Sequence, residues 1–327
     1  MPTATNVVIH PSQFPDQVQR ELAESLRRRK LNHKFLYDSH KQTEKWLALH
    51  EKHSPARTDL NCLEIYDSAY RAAADCVSGG KLRLIGLGCG GGQKDARLLE
   101  LLGEKARSLE YTPCDVSVPM VLVAQETAKV KVPGLNCHPS VFDLATIDDL
   151  PELLALSNER DCARLITFFG MLPNFEPEEI SPRLAGLLGP GDFLLLSANL
   201  APGREYVAGV RAILPQYDNE LMRDWLLSFL VDLGIEREDG QLHFSIEKGV
   251  AGLLRVVAHF HFGRSRRLTV QGEVFEFPEG ERFRLFFSYR HTPRLVRGLL
   301  APLKIEVMEQ WIADSEEEGV FLCRKAG

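Results

Sequence analysis

Several features that would settle the class of this chain at once are missing from it. No uncharged apolar run reaches the roughly 18–20 residues that a membrane-spanning helix needs, so no membrane partner is expected. The seven cysteines (Cys62, Cys76, Cys89, Cys114, Cys137, Cys162 and Cys323) contain no C-x-x-C pair and are odd in number. They offer no zinc spacing and fit a reducing compartment. Positive charge is in deficit, with 39 Lys and Arg against 45 Asp and Glu and a net charge of -6. That balance argues against nucleic acid, whose phosphates need a basic face. Arg27, Arg28, Arg29 and Lys30, and likewise Arg264, Arg266 and Arg267, read as solvated charged faces. The opening MPTATNVVIHPSQFPD lacks the basic start and apolar core of a secretory signal, so a cytoplasmic protein is expected. His50 and His53 have helical spacing but no third ligand, and no metal is expected.

What is present is a change of rhythm along the chain. Residues 14–53 are polar with helical spacing, and Leu22, Leu26, Trp46 and Leu47 are the packing candidates. From residue 82, five short apolar runs follow: LRLIGLG (82–88), SLEYTPCD (108–115), NCHPSVFD (136–143), RLITFFG (164–170) and DFLLLSAN (192–199). Helical stretches near 93–105, 117–130, 147–157 and 177–188 separate them. Apolar strands alternating with helices imply a parallel sheet covered on both faces. After residue 200 the pattern predicts two helices interrupted near Pro215 and three strands (253–263, 266–277 and 281–290). A helix over 293–302 and two closing strands complete it. The expected fold is α/β, with a mostly parallel seven-stranded sheet and a smaller α+β unit. Residues 59–200 and 290–327 would form the first domain, and residues 1–58 and 201–289 the second.

The loop GLGCGGGQK sits between the first strand and its helix, with glycines at 86, 88, 90, 91 and 92. Gly86-x-Gly88-x-x-Gly91 matches the dinucleotide fingerprint in the correct context. It is not a P-loop, because Lys94 is followed by Asp95 rather than a hydroxyl residue for magnesium. Asp115 closes the second strand, where a carboxylate can accept both ribose hydroxyls of NAD or of S-adenosylmethionine (SAM). Asp143 closes the third, placed for an adenine amino group with apolar neighbours such as Leu144 beside the ring. The run CDVSVPM and the small residues of the loop favour SAM, which has no phosphate. NAD(P) remains the rival, weakened by the lack of a Tyr-x-x-x-Lys pair after the fourth strand. A non-catalytic SAM-binding protein is a further alternative.

Nine pieces in order make the chain resemble the histidine Nα-trimethyltransferases of ergothioneine biosynthesis: FLYDS, SPART, GCGGGQK, CDVS, FFGMLPNF, LGPGDFLLLSANL, QYDNE, SIE and LFFSYR. The resemblance implies a class I, Rossmann-like methyltransferase domain and a substrate domain of N-terminal helices plus an insertion. It implies that Tyr37, Gly88, Lys94, Asp115 and Asp143 contact the cofactor; Gly86, Gly90 and Leu144 complete the expected cofactor site, with S-adenosylhomocysteine (SAH) as product. Asn174 falls where the family holds the substrate's α-amino group, and Tyr217 where a hydroxyl meets the α-carboxylate; these are the candidate catalytic residues. Ser288 is retained in the substrate site. The family's second tyrosine corresponds to His53, its imidazole-binding glutamate to Phe286, and the acid ending its first strand to Gly86. With an apolar ring at 286, the expected acceptor is an amino acid or related small amine other than histidine.

Overall fold

The computed structural model describes residues 5–77, 80–155 and 162–326. The chain opens with strand β1 (Val8–Ile9) and helices α1 (Pro15–Arg28), α2 (His40–His53), α3 (Pro55–Thr58) and α4 (Leu60–Cys76). Strands and helices then alternate: β2 (Lys81–Leu87), α5 (Gln93–Gly103), β3 (Ser108–Asp115), α6 (Val118–Lys131), β4 (Asn136–Cys137), β5 (Ser140–Val141), α7 (Leu150–Leu154), β6 (Cys162–Phe168), α8 (Pro177–Leu187) and β7 (Phe193–Asn199). Helices α9 (Tyr206–Tyr217) and α10 (Glu220–Asp232) follow. After them come β8 (Gly240–Lys248), β9 (Leu254–Phe262), β10 (Arg266–Val270), β11 (Glu273–Phe277), β12 (Arg282–Arg290), α11 (Pro293–Leu300), β13 (Ile305–Ile312) and β14 (Glu318–Lys325).

The apolar runs fold as a sheet with both faces covered. Ile85, Leu87, Ile166, Phe168, Leu194 and Leu196 meet Ile180, Leu184, Val296 and Leu300 of α8 and α11. Leu82, Leu84, Leu165 and Leu195 meet Tyr66, Tyr70, Leu98 and Leu99 of α4 and α5 on the other face. This two-sided burial is why the strands lack polar alternation. The strand order is β1-β5-β3-β2-β6-β7-β14-β13, with β4 also on β3. All of these pairings are parallel except those of β14 with β7 and with β13. Strand order reverses at β2, which has β3 on one side and β6 on the other. Such a switch point leaves a crevice beyond the strand ends.

Among the described residues the sheet has nine strands, not the seven expected. The expected third strand is two pieces, β4 and β5, because Pro139 between them has no N–H for the ladder. Val8 and Ile9 add a parallel strand beside β5 that was too short to show periodicity. The run expected as one strand over 266–277 is the β10–β11 hairpin, whose turn residues Gln271 and Gly272 have φ of 57° and 82°. Both arms alternate alike, so the pattern conceals the reversal. Strand β8, half exposed along one edge, was not anticipated. Helix α9 runs through Pro215 to Tyr217, and the break comes where Asn219 caps α10 by accepting from Met222 N. The expected helix over 147–157 is observed as α7, and residues beyond 155 lie outside the described ones.

Strands β12, β9 and β8 form a separate antiparallel sheet. Its core joins Leu26, Phe35 and Leu36 of the N-terminal segment to Trp225 and Leu226 of α10 and to Phe260 and Phe283 of the sheet. Among the described residues no helix is long and apolar enough to cross a membrane.

One close approach sets the loop against the helices. Gly92 precedes α5 with φ of 75°, and a Cβ there would lie 2.6 Å from the Cα of Ala124 in α6. Gly92→Ala is therefore expected to cost about 1–3 kcal/mol in denaturant-unfolding midpoints. A loss under about 0.5 kcal/mol would show that the approach is not constraining.

Candidate active site

A cavity of about 850 Å³ lies at the switch point, walled by the ends of β2, β3 and β6, by α2 and by β12. Of the site residues expected from sequence, Tyr37, His53, Gly88, Gly90, Lys94, Asp115, Asp143, Leu144, Asn174, Tyr217, Phe286 and Ser288 all line it.

On one side the glycine loop presents bare backbone. Gly88 and Gly90 have φ of 65° and 51°, a region that costs other residues strain. A Cβ on Gly88 would fall 2.4 Å from Met171 Sδ. Asp115 is tied to this loop: Oδ2 accepts from Gly90 N at 3.1 Å and Oδ1 from Ser117 N at 3.1 Å. Burial pushes its carboxyl up to about 6, against the lowering effect of those backbone donors. Each oxygen retains a lone pair for a ligand hydroxyl. Tyr37 packs edge-on against Trp46, and burial with the Asp115 charge raises its hydroxyl's pKa. Asp143 is buried; Oδ1 accepts from Ala145 N at 2.9 Å, and Oδ2 meets Asn32 Nδ2 at 3.3 Å and Lys34 Nζ at 3.4 Å. Leu144 is buried beside it.

Two expectations need adjusting. Lys94 reaches the cavity, but its ammonium donates to Tyr66 Oη at 2.6 Å and lies 4.0 Å from Glu318, and burial lowers its pKa. Gly86, expected to touch cofactor, does not line the cavity. A Cβ at that position would stand 2.1 Å from Asp95 Oδ2. Asp95 accepts from Tyr111 Oη at 2.7 Å and from Thr167 Oγ1 at 2.7 Å, and burial pushes it up to about 6. Near the end of β2 the buried carboxylate is thus that of Asp95 in α5, and it fills the space a side chain at Gly86 would take.

On the opposite side, Tyr217 Oη donates to Ser288 Oγ at 2.9 Å and accepts from Arg290 Nη2 at 2.8 Å. Phe286 lies 6.0 Å from the Tyr217 ring and stacks on His33 at 5.2 Å. Asn174 Nδ2 points to Gly170 O at 3.5 Å, which leaves Oδ1 as its available acceptor. His53 is exposed at the end of α2. One turn earlier His50 stacks on Trp46, its Nδ1 buried and without a partner. Trp46 and His50 share a helix face at i, i+4, a spacing visible in the sequence but unused there. Met171, Asp95, Asn32 and Lys34 were also missed, because nothing local marks a side chain that completes a site from a distant segment.

A bare glycine backbone, a strand-tip carboxylate and a second carboxylate flanked by Leu144 suit an adenosyl group without phosphate. With the strand order they define a class I, Rossmann-like, SAM-dependent methyltransferase. Over residues 14–224 the sequence matches the family of histidine-specific, SAM-dependent methyltransferases, and the chain belongs to that family. SAM is its cofactor, and the NAD(P) alternative falls away. Among solved structures the chain is similar to the CcbJ methyltransferase from Streptomyces caelestis, at 14% identity and TM-score 0.39, covering 80% of this chain and 90% of that one. It is also similar to SAH-bound magnesium protoporphyrin IX methyltransferase (ChlM) from Synechocystis PCC 6803, at 14% and 0.47, covering 90% and 97%. No curated protein matches the sequence significantly.

The Gly86–Asp95 fit yields a measurable coupling. Gly86→Ala is expected to destabilise by about 2–4 kcal/mol by displacing the buried carboxylate. In the Gly86→Ala/Asp95→Ala double variant, unfolding curves should recover at least about 1 kcal/mol of the summed losses. Strict additivity would refute the contact.

Proposed function

We propose that the protein is a SAM-dependent N-methyltransferase acting on the α-amino group of an amino acid or related small molecule, with histidine not the preferred acceptor. The observation that carries this reading is one shared cavity: Asn174, Tyr217 and Ser288 line it together with the glycine loop and Asp115. When bound, SAM supplies a methyl group on a sulfonium, open to in-line attack by a neutral amine.

The chain's own groups then have these roles. Asp115 receives the ribose hydroxyls, and Asp143 and Leu144 take the adenine. The backbone at Gly88 and Gly90, with Tyr37 and Lys94, closes the methionine side. Residues 59–200 and 290–327 serve the cofactor, and residues 1–58 and 201–289 the acceptor. Asn174 Oδ1 accepts an N–H from the amine, orienting its lone pair without supplying a proton that would quench it. Burial favours the neutral amine, because desolvation disfavours ammonium. The Tyr217 hydroxyl, with the Arg290 guanidinium behind it, makes an electropositive corner for a carboxylate. His53 stands at the mouth. Phe286 offers a ring where the family has a carboxylate, which removes the charged partner of an imidazole. Positioning carries the acceleration, since no covalent intermediate is needed.

Methyl transfer from labelled SAM to a panel of aliphatic, aromatic and acidic amino acids, with histidine included, tests the reading. A methylamine product other than methylhistidine is expected. Transfer only to histidine or to oxygen would refute it, and SAH binding without any transfer would mark a non-catalytic protein. Asn174→Ala should leave SAH affinity within about 2-fold and lower turnover about 100-fold; an unchanged rate would remove Asn174 from the mechanism. SAH affinity should also depend on pH. The carboxylate form of Asp115 is the better acceptor, and it is lost as pH falls through about 6. Calorimetry should find affinity flat above about pH 7 and falling by up to about tenfold per unit below 6. Asp115→Ala should weaken binding at least tenfold at pH 7.5, and unchanged affinity would move the ribose elsewhere.

A further inference from the structure

On the Phe287 side of the cavity two hydrogen-bond donors point at nothing the chain provides. Arg284 of β12 lines the cavity, its Nε is buried without a partner, and among the described residues no carboxylate lies within ion-pair distance of it. The nearby carboxylates are taken by another arginine. Arg255 holds Glu176 at 2.7 Å and Glu247 at 3.4 Å, and Tyr289 Oη donates to Glu176 at 2.6 Å. Among the described residues Arg284 is thus the arginine of this corner without an ion pair, its guanidinium 4.9 Å from the centre of the Phe287 ring. Burial and then the Arg255 charge lower its pKa, and the Glu176 and Glu247 carboxylates only partly oppose them.

His33 supplies the second donor. Its ring lies 4.5 Å from that of Phe287 and stacks on Phe286 with an interplanar angle of 6°. Nε2 accepts from Phe287 N at 3.1 Å. Burial lowers the ring's pKa to about 3, so it is neutral at physiological pH. A neutral imidazole whose Nε2 accepts must carry its proton on Nδ1. Nδ1 is buried and has no partner. The Nε–H of Arg284 and the Nδ1–H of His33, both buried without a partner in one cavity, are costly unless a ligand satisfies them.

We propose that the methyl acceptor carries a second anionic group, a carboxylate beyond its α-carboxylate, received by Arg284 and the Nδ1–H of His33. The acceptor is then a dianionic amino acid, its α-amino and α-carboxylate groups at Asn174 and Tyr217 and its far carboxylate on the Phe287 side. This placement rests on the amino-acid N-methyltransferase reading, and Phe286 and Phe287 provide apolar walls for the linking carbons.

The test is calorimetry on the full chain saturated with SAH, with L-glutamate against L-glutamine and 4-carboxy-L-phenylalanine against 4-carbamoyl-L-phenylalanine. In at least one pair the anionic member should bind at least about 10-fold tighter than its amide, as expected of a charge-assisted pair in a partly buried site. Arg284→Gln should abolish the preference while leaving SAH affinity within about 2-fold, and Arg284→Lys should retain part of it. His33→Phe, which keeps the stacking surface, should reduce it about 3-fold. The absence of a preference in both pairs, including absence of binding, overturns the proposal. So does a preference that survives Arg284→Gln. Methyl analysis of the same mixtures separates the two ideas. A preference for the anion without methylamine formation would sink the N-methyltransferase reading and leave this site standing. Equal methylation of acids and amides with equal binding would sink this site alone.

Discussion

The carboxylate of Asp115 holds the glycine loop to the tip of β3 through the N–H groups of Gly90 and Ser117, and the rest of the site is arranged around that tie. An acceptor-only group facing two backbone donors fixes both chain segments. The loop can meet it only by turning through positive φ at Gly88 and Gly90, which is where glycines are cheap. Gly92 then begins α5 close against α6, and the helix continues with Leu98, Leu99 and Leu102 in the core. A single electrostatic contact thus connects a sequence signature, a helix register and the open backbone that a cofactor can approach. The cost is a buried charge whose pKa stands at about 6.

A second buried carboxylate shows how the wall behind the loop is built. Asp95 receives Tyr111 from β3 and Thr167 from β6, hydroxyls on the two strands flanking β2. It lies directly over Gly86, which must be glycine because the carboxylate from α5 fills the space a Cβ would take. Lys94, one residue earlier, faces Tyr66 and Glu318 instead. Adjacent residues at a helix start point to different partners, so the two opposite charges serve different parts of the wall and do not neutralise each other directly.

The parts of this molecule that were legible in the sequence are those governed by local rules. Apolar runs of β2, β3, β6 and β7 announced a covered parallel sheet, and Gly88, Gly90 and Asp115 announced the crevice. Pairing of short segments was not legible. Two-residue strands such as Val8–Ile9 have no period, Pro139 splits the short stretch 136–143 into two pieces, and two hairpin arms of like alternation read as one strand. The polar completion of the site was least legible. His33, Asn32, Lys34 and Arg284 acquire meaning only from where the chain returns, and a cation without a partner looks the same in sequence as one on a solvated face.

That return is the work of the N-terminal segment. Lys34, buried, pairs with Glu21 on its own segment and with Asp143 at the end of β5, while Asn32 and Ser12 bond the same aspartate. On its far side the segment is fastened to the second sheet, where Leu31 N donates to Arg284 O, and to α10, where Trp225 Nε1 donates to Leu36 O. Removing Lys34 would leave the buried Asp143 and the partly buried Glu21 without their cation, a larger penalty than the pairs return in stability. The segment is therefore a wall of the cavity and not a cover over a finished one. The same few residues hold the ends of the first sheet against the second, so Asp143 and Arg284, far apart in the sequence, line one cavity.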